Sequence, residues 1–234
     1  DDGSIQYIDN SIIPMNDKKY AYKNKANRIK TYFPTDIKEG ILIYDDKYEL
    51  SFTPITDKVK ITGENKDFYY NKVTENVVEY ENVFGEGTKL QYAPTYTGLK
   101  ENIVLEKYNG TNTFKFFVDT KGLVPVVNNG ESIALKDPAS DEIVALIGQV
   151  DARDSYIGSN ENNDKHFSIN NKVEMTKTDK EGVYVLTVTV DKDFLESKTT
   201  VFPVVIDPTL TVYASNHIDT TVYSNYPNTQ TFYT

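Results

Sequence analysis

Residues 200–209 carry the sequence Thr-Val-Phe-Pro-Val-Val-Ile-Asp-Pro-Thr, and this stretch decides how the rest of the chain is interpreted. Its run of Val, Phe and Ile predicts a single β-strand. Pro208 cannot donate a backbone hydrogen bond to a neighbouring strand, so we expect the strand to end at Asp207. A polar segment rich in Tyr, Asn and Thr follows. We therefore predict a boundary between two modules after Thr209.

Pairs of short apolar runs separated by turn residues precede this stretch and predict hairpins. The Asn109-Gly110 dipeptide, between the runs 102–108 and 113–118, is a strong hairpin signal because both residues accept positive φ angles. Three further strand pairs are predicted at 40–44 with 48–53, 76–80 with 88–93, and 131–135 with 143–147.

The run at 183–190 alternates apolar and β-branched residues, as a strand with one buried face does. We expect Val183 and Val185 to face the core, with Leu186 competing for it, and Thr187 and Thr189 to face away. Helix is expected only as a short turn after the N-cap residue Asp191.

Many short strands at close spacing predict an all-β fold, an antiparallel β-sandwich-like domain. A polar run near residues 63–66 interrupts the strand pattern. We therefore predict a small N-terminal β lobe at 1–64, either separate from the next unit or continuous with it. The β-sandwich-like domain then covers 65–209, and residues 210–234 begin a further module.

Composition excludes several kinds of protein. The 234 residues include no Cys, which leaves neither a disulfide framework nor a thiolate site. The formal net charge of −10 disfavours a nucleic-acid or membrane partner. No apolar run approaches the roughly 20 residues of a membrane helix. The opening Asp-Asp-Gly-Ser is expected of a mature chain without a signal peptide.

Several motifs, taken in order, resemble the N-terminal β-rich region of secreted Gram-positive wall-associated proteins of the RHS/YD-repeat type. The stretches that carry this resemblance are 8–12, 22–27, 78–84, 90–92, 98–105, 114–123, 184–188, 193–195 and 202–209. Residues 218–229 resemble the start of a DNRLRE-type jelly-roll module. The chain departs from the pattern because it lacks Trp and contains no YD repeat.

The resemblance implies an extracellular, cell-wall-associated location and a place within a larger secreted protein, in some cases one that delivers a toxin. From it we expect a non-catalytic structural or adhesive segment, not an enzyme. Its expected partners are downstream modules of the same polypeptide and cell-wall glycan, without nucleic acid or membrane. The alternatives are a carbohydrate-binding module for cell-wall glycan and, after it, a glycoside hydrolase.

No catalytic residues are predicted. His166 and His217 are the only histidines, and each lies near an acid without a recognisable nucleophile motif. We expect both to be loop or strand residues beside surface charge. Pairs of carboxylates are frequent, but a sequence alone does not show the cleft that glycoside hydrolysis needs.

The loop at 151–164 is the best candidate for a cation site because it is long and rich in oxygen ligands. Its spacing does not match an EF-hand, and a solvated loop is the competing interpretation. No organic cofactor is expected, and Ca²⁺ is the ion this loop would hold. The candidate ligands are Asp151, Asp154, Asn160, Asn162 and Asp164.

The chain has 18 Tyr and no Trp, so a ligand-stacking surface would be built from tyrosine. The tyrosines expected to be exposed and to bind are Tyr69, Tyr70, Tyr92 and Tyr96. The competing interpretation is that half-buried strand positions favour tyrosine.

Overall fold

The computed structural model describes residues 7–56, 76–158, 165–213, 220–223 and 226–232. A 3-10 turn at Ile37–Glu39 and a one-turn helix, α1 (Lys192–Glu196), accompany the strands. In chain order the strands are β1 (Asp9–Pro14), β2 (Tyr20–Ala26), β3 (Lys30–Pro34), β4 (Ile41–Asp45), β5 (Tyr48–Pro54), β6 (Val78–Glu81), β7 (Thr88–Pro94), β8 (Gly98–Leu105), β9 (Thr113–Asp119), β10 (Val124–Asn128), β11 (Ser132–Lys136), β12 (Ile143–Ile147), β13 (Asp151–Arg153), β14 (Phe167–Ser168), β15 (Lys172–Lys177), β16 (Val183–Thr189), β17 (Val204–Asp207), β18 (Leu210–Val212), β19 (Thr220–Tyr223) and β20 (Tyr226–Phe232).

Two large antiparallel sheets form the body of the protein. The first has the strand order β1-β2-β3-β4-β5-β9-β16-β15. The second has the order β10-β11-β12-β18-β8-β17-β13-β14, with β7 and then β6 added beside β8. The predicted all-β, sandwich-like fold class is confirmed.

The core lies between the two sheets because each supplies one alternating apolar face. Phe114, Phe116 and Val118 of β9 are buried from the first sheet. Leu90 of β7 and Ile103 of β8 are buried from the second. Alternate residues that point away from the core, such as Phe117 of β9, remain exposed.

The predicted inner face of β16 is right for Leu186, wrong for Val183 and Val185, and right in placing Thr187 and Thr189 on the other face. Leu186 and Val188 are buried, whereas Val183 and Val185 are only half-buried. Register with β9 places Leu186 opposite the fully buried Phe116, which fixes the inner set. Both alternating sets of this strand contain apolar residues, so the local pattern could not select the face.

Local turns were predicted well where the two strands stay in one sheet. β4 pairs with β5 and β11 pairs with β12, as expected. β6 and β7 also pair with each other. Asp191 caps α1 as predicted, since its side chain accepts hydrogen bonds from the backbone nitrogens of Asp193 and Phe194.

The predicted hairpin at Asn109-Gly110 is wrong. β8 belongs to the second sheet and β9 to the first, so this turn lies in a connection between sheets. Both edges of β8 are already occupied, by β7 on one side and by β17 and β18 on the other. No edge of β8 is left for β9.

Within the stretch 200–209, residues Val204–Asp207 form one strand, β17, and its end at Asp207 is as predicted. A second strand, β18, begins at Leu210 after Pro208. Both strands pair with β8, so sheet pairing continues past the predicted module boundary at 209. In the described residues β19 and β20 pair only with each other. A DNRLRE-type module beginning here stays a prediction.

Strands on either side of the predicted boundary at residue 64 share one sheet. β5 is hydrogen-bonded to β9 through pairs such as Phe52 with Val118. Residues 57–75 lie outside the described part of the chain. The division into domains at 64 stays a prediction, but it does not separate two sheets.

Candidate functional site

Asp154 and His166 form a buried acid–histidine pair at the end of the second sheet. The Nδ1 atom of His166 lies 2.8 Å from Oδ2 of Asp154. The Asp154 carboxylate is fully buried, and the His166 side chain is 12% exposed. Because an ionised carboxylate only accepts hydrogen bonds, the geometry has Nδ1 of His166 donating to it.

The segments that follow β13 and precede β17 hold this pair in place. The backbone nitrogen of Val201 donates to Oδ2 of Asp154 at 2.8 Å, and that of Tyr156 donates to Oδ1 at 2.9 Å. The Tyr156 ring stacks on the imidazole of His166, with ring centroids 3.8 Å apart. Ser155 donates its hydroxyl to the carbonyl oxygen of Pro203. We call Asp154, Tyr156, His166 and Val201 the Asp154 clamp.

A histidine oriented in this way presents its other nitrogen for proton transfer. The same carboxylate–imidazole arrangement positions the base of hydrolytic triads, which also contain a nucleophile. Within the described residues no group of three or more His, Cys, Asp or Glu residues could hold a metal ion. The expectation that His166 lies beside surface charge is wrong, because its acid partner is buried. His217 lies outside the described residues.

The structure describes two of the five predicted metal ligands and gives them different partners. Asp154 directs its carboxylate into the clamp, and Asp151 pairs across strands with Asp207. Burial, followed by the negative charge of Asp207, raises the pKa of Asp151. The other three candidates, at positions 160, 162 and 164, lie outside the described residues. Calcium binding by this loop stays a prediction.

Of the four tyrosines expected to be exposed, the structure describes Tyr92 and Tyr96. Tyr92 is fully buried on the inner face of β7, so its expected exposure is wrong. Tyr96 is 73% exposed, and its binding role stays a prediction. Tyr69 and Tyr70 lie outside the described residues. Tyr92 is buried because β7 lies inside the second sheet, where its alternate residues face the core.

Glu101 is a buried carboxyl group that the sequence analysis missed. It lies on the inner face of β8 and is only 6% exposed. The Tyr92 hydroxyl donates a hydrogen bond to its Oε1 atom at 3.2 Å. Burial raises the pKa of Glu101 to about 8; the nearby Asp207 adds to this shift, and the hydrogen bond from Tyr92 opposes it. The alternation Leu99, Glu101, Ile103 was the signal that placed this carboxyl on an apolar face.

The chain is similar to part of three curated proteins. It is 31% identical over 185 residues to the protein named tRNA nuclease WapA of Bacillus subtilis strain 168, which covers 78% of this chain. It is 31% identical over 176 residues to tRNA3(Ser)-specific nuclease WapA of Bacillus spizizenii, covering 74% of this chain. It is 30% identical over 185 residues to tRNA(Glu)-specific nuclease WapA of Bacillus subtilis subsp. natto.

Each of these matches spans only 7% of the relative's own length. No protein-family model matches the chain, and no solved structure does. In the described residues no helix is both long and apolar enough to span a bilayer.

Three predictions are contradicted by these relatives. The chain was expected to be a non-catalytic structural, adhesive or glycan-binding segment, to have no enzymatic function, and to have no nucleic-acid partner. All three relatives are named as nucleases that act on tRNA. The acidic composition is that of 234 residues, whereas those names describe far longer proteins, so it does not determine the partner of the whole protein.

Proposed function

We propose that this chain is a β-sandwich module of a longer protein whose activity is the cleavage of tRNA. The observation that carries the proposal is the similarity over 78% of the chain to a protein named as a tRNA nuclease. The chain supplies a folded unit with a continuous core between two sheets. The activity is proposed for the longer protein, because the match spans 7% of that relative.

We also propose that the longer protein is extracellular, cell-wall-associated and toxin-like. It would carry RHS/YD repeats and a DNRLRE-type module. The support is the ordered set of motifs from residue 8 to residue 209. The names of the three relatives support the nuclease part of this proposal alone.

The Asp154 clamp offers the acid–base group in the described residues that fits RNA cleavage best. Attack by a ribose 2′-hydroxyl on the neighbouring phosphate needs a base to take the hydroxyl proton. It also needs an acid to protonate the leaving 5′-oxygen. His166, held by Asp154 through Nδ1, is the first residue to test if the chain itself cleaves tRNA.

The experiment compares the full natural protein with the 234-residue chain, each incubated with purified total tRNA. Products are separated on denaturing gels and their ends are mapped. The proposal predicts discrete tRNA fragments with the full protein. Activity of the chain alone that is lost in His166→Gln would assign the chemistry to this chain. Activity of the full protein alone assigns it to the remainder. Intact tRNA with both proteins contradicts the proposal.

A further inference from the structure

Glu101 is placed where the two sheets meet. A cavity of about 10 Å³, room for at most one water molecule, lies beside it between the sheets. Pro208, from the connection between β17 and β18, also lines this cavity. The remaining lining residues besides Leu99 come from β4, β5, β16, β12 and β18 and are apolar: Ile41, Ile43, Phe52, Leu186, Ile147 and Leu210.

Few polar groups face Glu101. From β7 it meets the hydroxyl of Tyr92, whose ring packs edge-on against that of Tyr80 on β6. From β17 it feels the negative charge of Asp207, which is paired with Lys100. No salt bridge joins Glu101 to a Lys or Arg within the described residues, and the strands of the first sheet present only apolar side chains at the cavity.

A carboxylate in such a site is strongly disfavoured unless its charge is compensated. One hydrogen bond from Tyr92 does not replace the hydration that the charged form has in water. The neutral acid is therefore the form that fits the closed sandwich. A core with a neutral Glu101 and a core with a charged one differ in free energy, so a proton couples to the packing of the sheets.

Because of its position on β8, a change in the charge of Glu101 should affect β17 and β18 most. β8 pairs with β17 through Ile103 and with β18 through Leu99, on either side of Glu101 along the strand. The pairing of β17 and β18, the strands on either side of Pro208, therefore depends on the position of β8 in the sheet. We call the region 204–212 the seam.

We propose that Glu101 is a proton-operated lock between the two sheets. When Glu101 is protonated, its neutral side chain packs between the two sheets, and β17 and β18 stay paired with β8. Without its proton, the charged side chain draws water toward the cavity and loosens β17 and β18. The device is independent of the proposed nuclease function, because it needs only the sandwich.

The direction of the pH effect follows from the raised pKa. The Glu101 pKa rises from its ordinary value of 4.5 to about 8 in the folded chain. The folded state therefore holds the proton more tightly than the unfolded state. The stabilisation is fully present below about pH 4.5 and is lost as the pH rises through about 8.

The test compares the urea unfolding midpoint of the chain between pH 5.5 and pH 9.5 with that of two variants. Glu101→Gln keeps the shape and the neutral state, and the exposed Glu174→Gln is the matched control. The proposal predicts a midpoint that falls as the pH rises from 5.5 to about 8 and levels off above that pH, in the wild type and in Glu174→Gln but not in Glu101→Gln. Parallel curves for all three proteins overturn it.

Two further measurements keep the proposal testable if Glu101→Gln fails to fold. Tyr92→Phe removes the hydrogen bond that favours the charged form of Glu101. The pH above which the unfolding midpoint stops falling should therefore be higher in Tyr92→Phe than in the wild type. Hydrogen exchange, corrected for its intrinsic pH dependence, should show the seam amides losing protection before those of β16. A transition unmoved by Tyr92→Phe, or a uniform loss of protection, contradicts the lock.

Discussion

Two buried carboxyl groups, Asp154 and Glu101, differ in how many donors surround them. Asp154 accepts hydrogen bonds from His166, Tyr156 and Val201. Glu101 accepts one, from Tyr92. Burial of a charge is tolerated when hydrogen bonds replace its hydration, so the first site suits a carboxylate and the second a neutral acid. Asp154 therefore serves to orient His166, whereas Glu101 makes the packing of the sheets sensitive to pH.

Asp154→Ala should destabilise the chain by about 3 kcal/mol, because it leaves buried donors without partners. The lost contacts are those to the Val201 and Tyr156 backbone nitrogens and to His166. The measurement is the free energy of unfolding in urea at pH 7. The exposed Asp179→Ala serves as the control and should change it little. Equal stability of the two variants would show that the clamp is not formed.

At the scale of single residues, the sequence singled out Asp154 as a candidate site residue but did not predict its hydrogen-bond partners. Asp154 was expected at a cation site, whereas its oxygens are used by the clamp. Its partner His166 is twelve positions away, and a pairing of that kind depends on how β13 and β14 meet. Glu101 stands between Leu99 and Ile103 in the alternation of β8, so its burial was predictable from the sequence although it was not among the predicted site residues.

At the scale of elements, β8 organises the second sheet. Its Asn102–Leu105 half is buried on both faces, and it pairs with β7, β17 and β18. The hairpins β4–β5 and β11–β12 were predictable because their turns are local. The assignment of β8 and β9 to different sheets was not, because it is decided by strands about 100 positions later in the chain.

Gly98→Ala should disrupt the pairing of β8 with β18. A Cβ atom at Gly98 would lie 2.2 Å from the carbonyl oxygen of Leu210, so the strand must move. Overpacking of this kind costs about 1–3 kcal/mol. The measurement is the free energy of unfolding together with the rate of protease cleavage near residue 212. Gly148→Ala is the matched control, since its Cβ atom would only touch Thr209 at 3.6 Å.

Cleavage near residue 212 should be faster in Gly98→Ala than in wild type, and unchanged in Gly148→Ala. Equal cleavage rates in the two variants would mean that β18 is not held by β8. This outcome would also weaken the assignment of the seam to the sandwich.

At the scale of the whole molecule, the first sheet joins the N-terminal strands to the centre of the chain. β5 lies between β4 and β9, and its residues Leu50 and Phe52 are buried in the common core. The fold class was predictable from strand spacing. The extent of the shared sheet was not, because a polar run near residue 64 resembles a boundary in sequence whether or not the flanking strands pair.

Removal of residues 1–56 should abolish cooperative unfolding, because β9 loses its neighbour β5 and the core loses one wall. Removal of residues 214–234 should leave a cooperative transition, since β19 and β20 pair only with each other in the described residues. Circular dichroism during heating measures both truncated chains. A cooperative transition in the chain without residues 1–56 would show that the N-terminal strands form a separate unit.

The central proposal is that this chain is part of a longer protein that cleaves tRNA, and a substrate comparison tests it most directly. The full natural protein is incubated in parallel with tRNA, with a ribosomal RNA of similar length and with single-stranded DNA, and product lengths are measured. The account predicts discrete shortening of tRNA, with the other two substrates left intact. Intact tRNA, or equal degradation of all three, would contradict it.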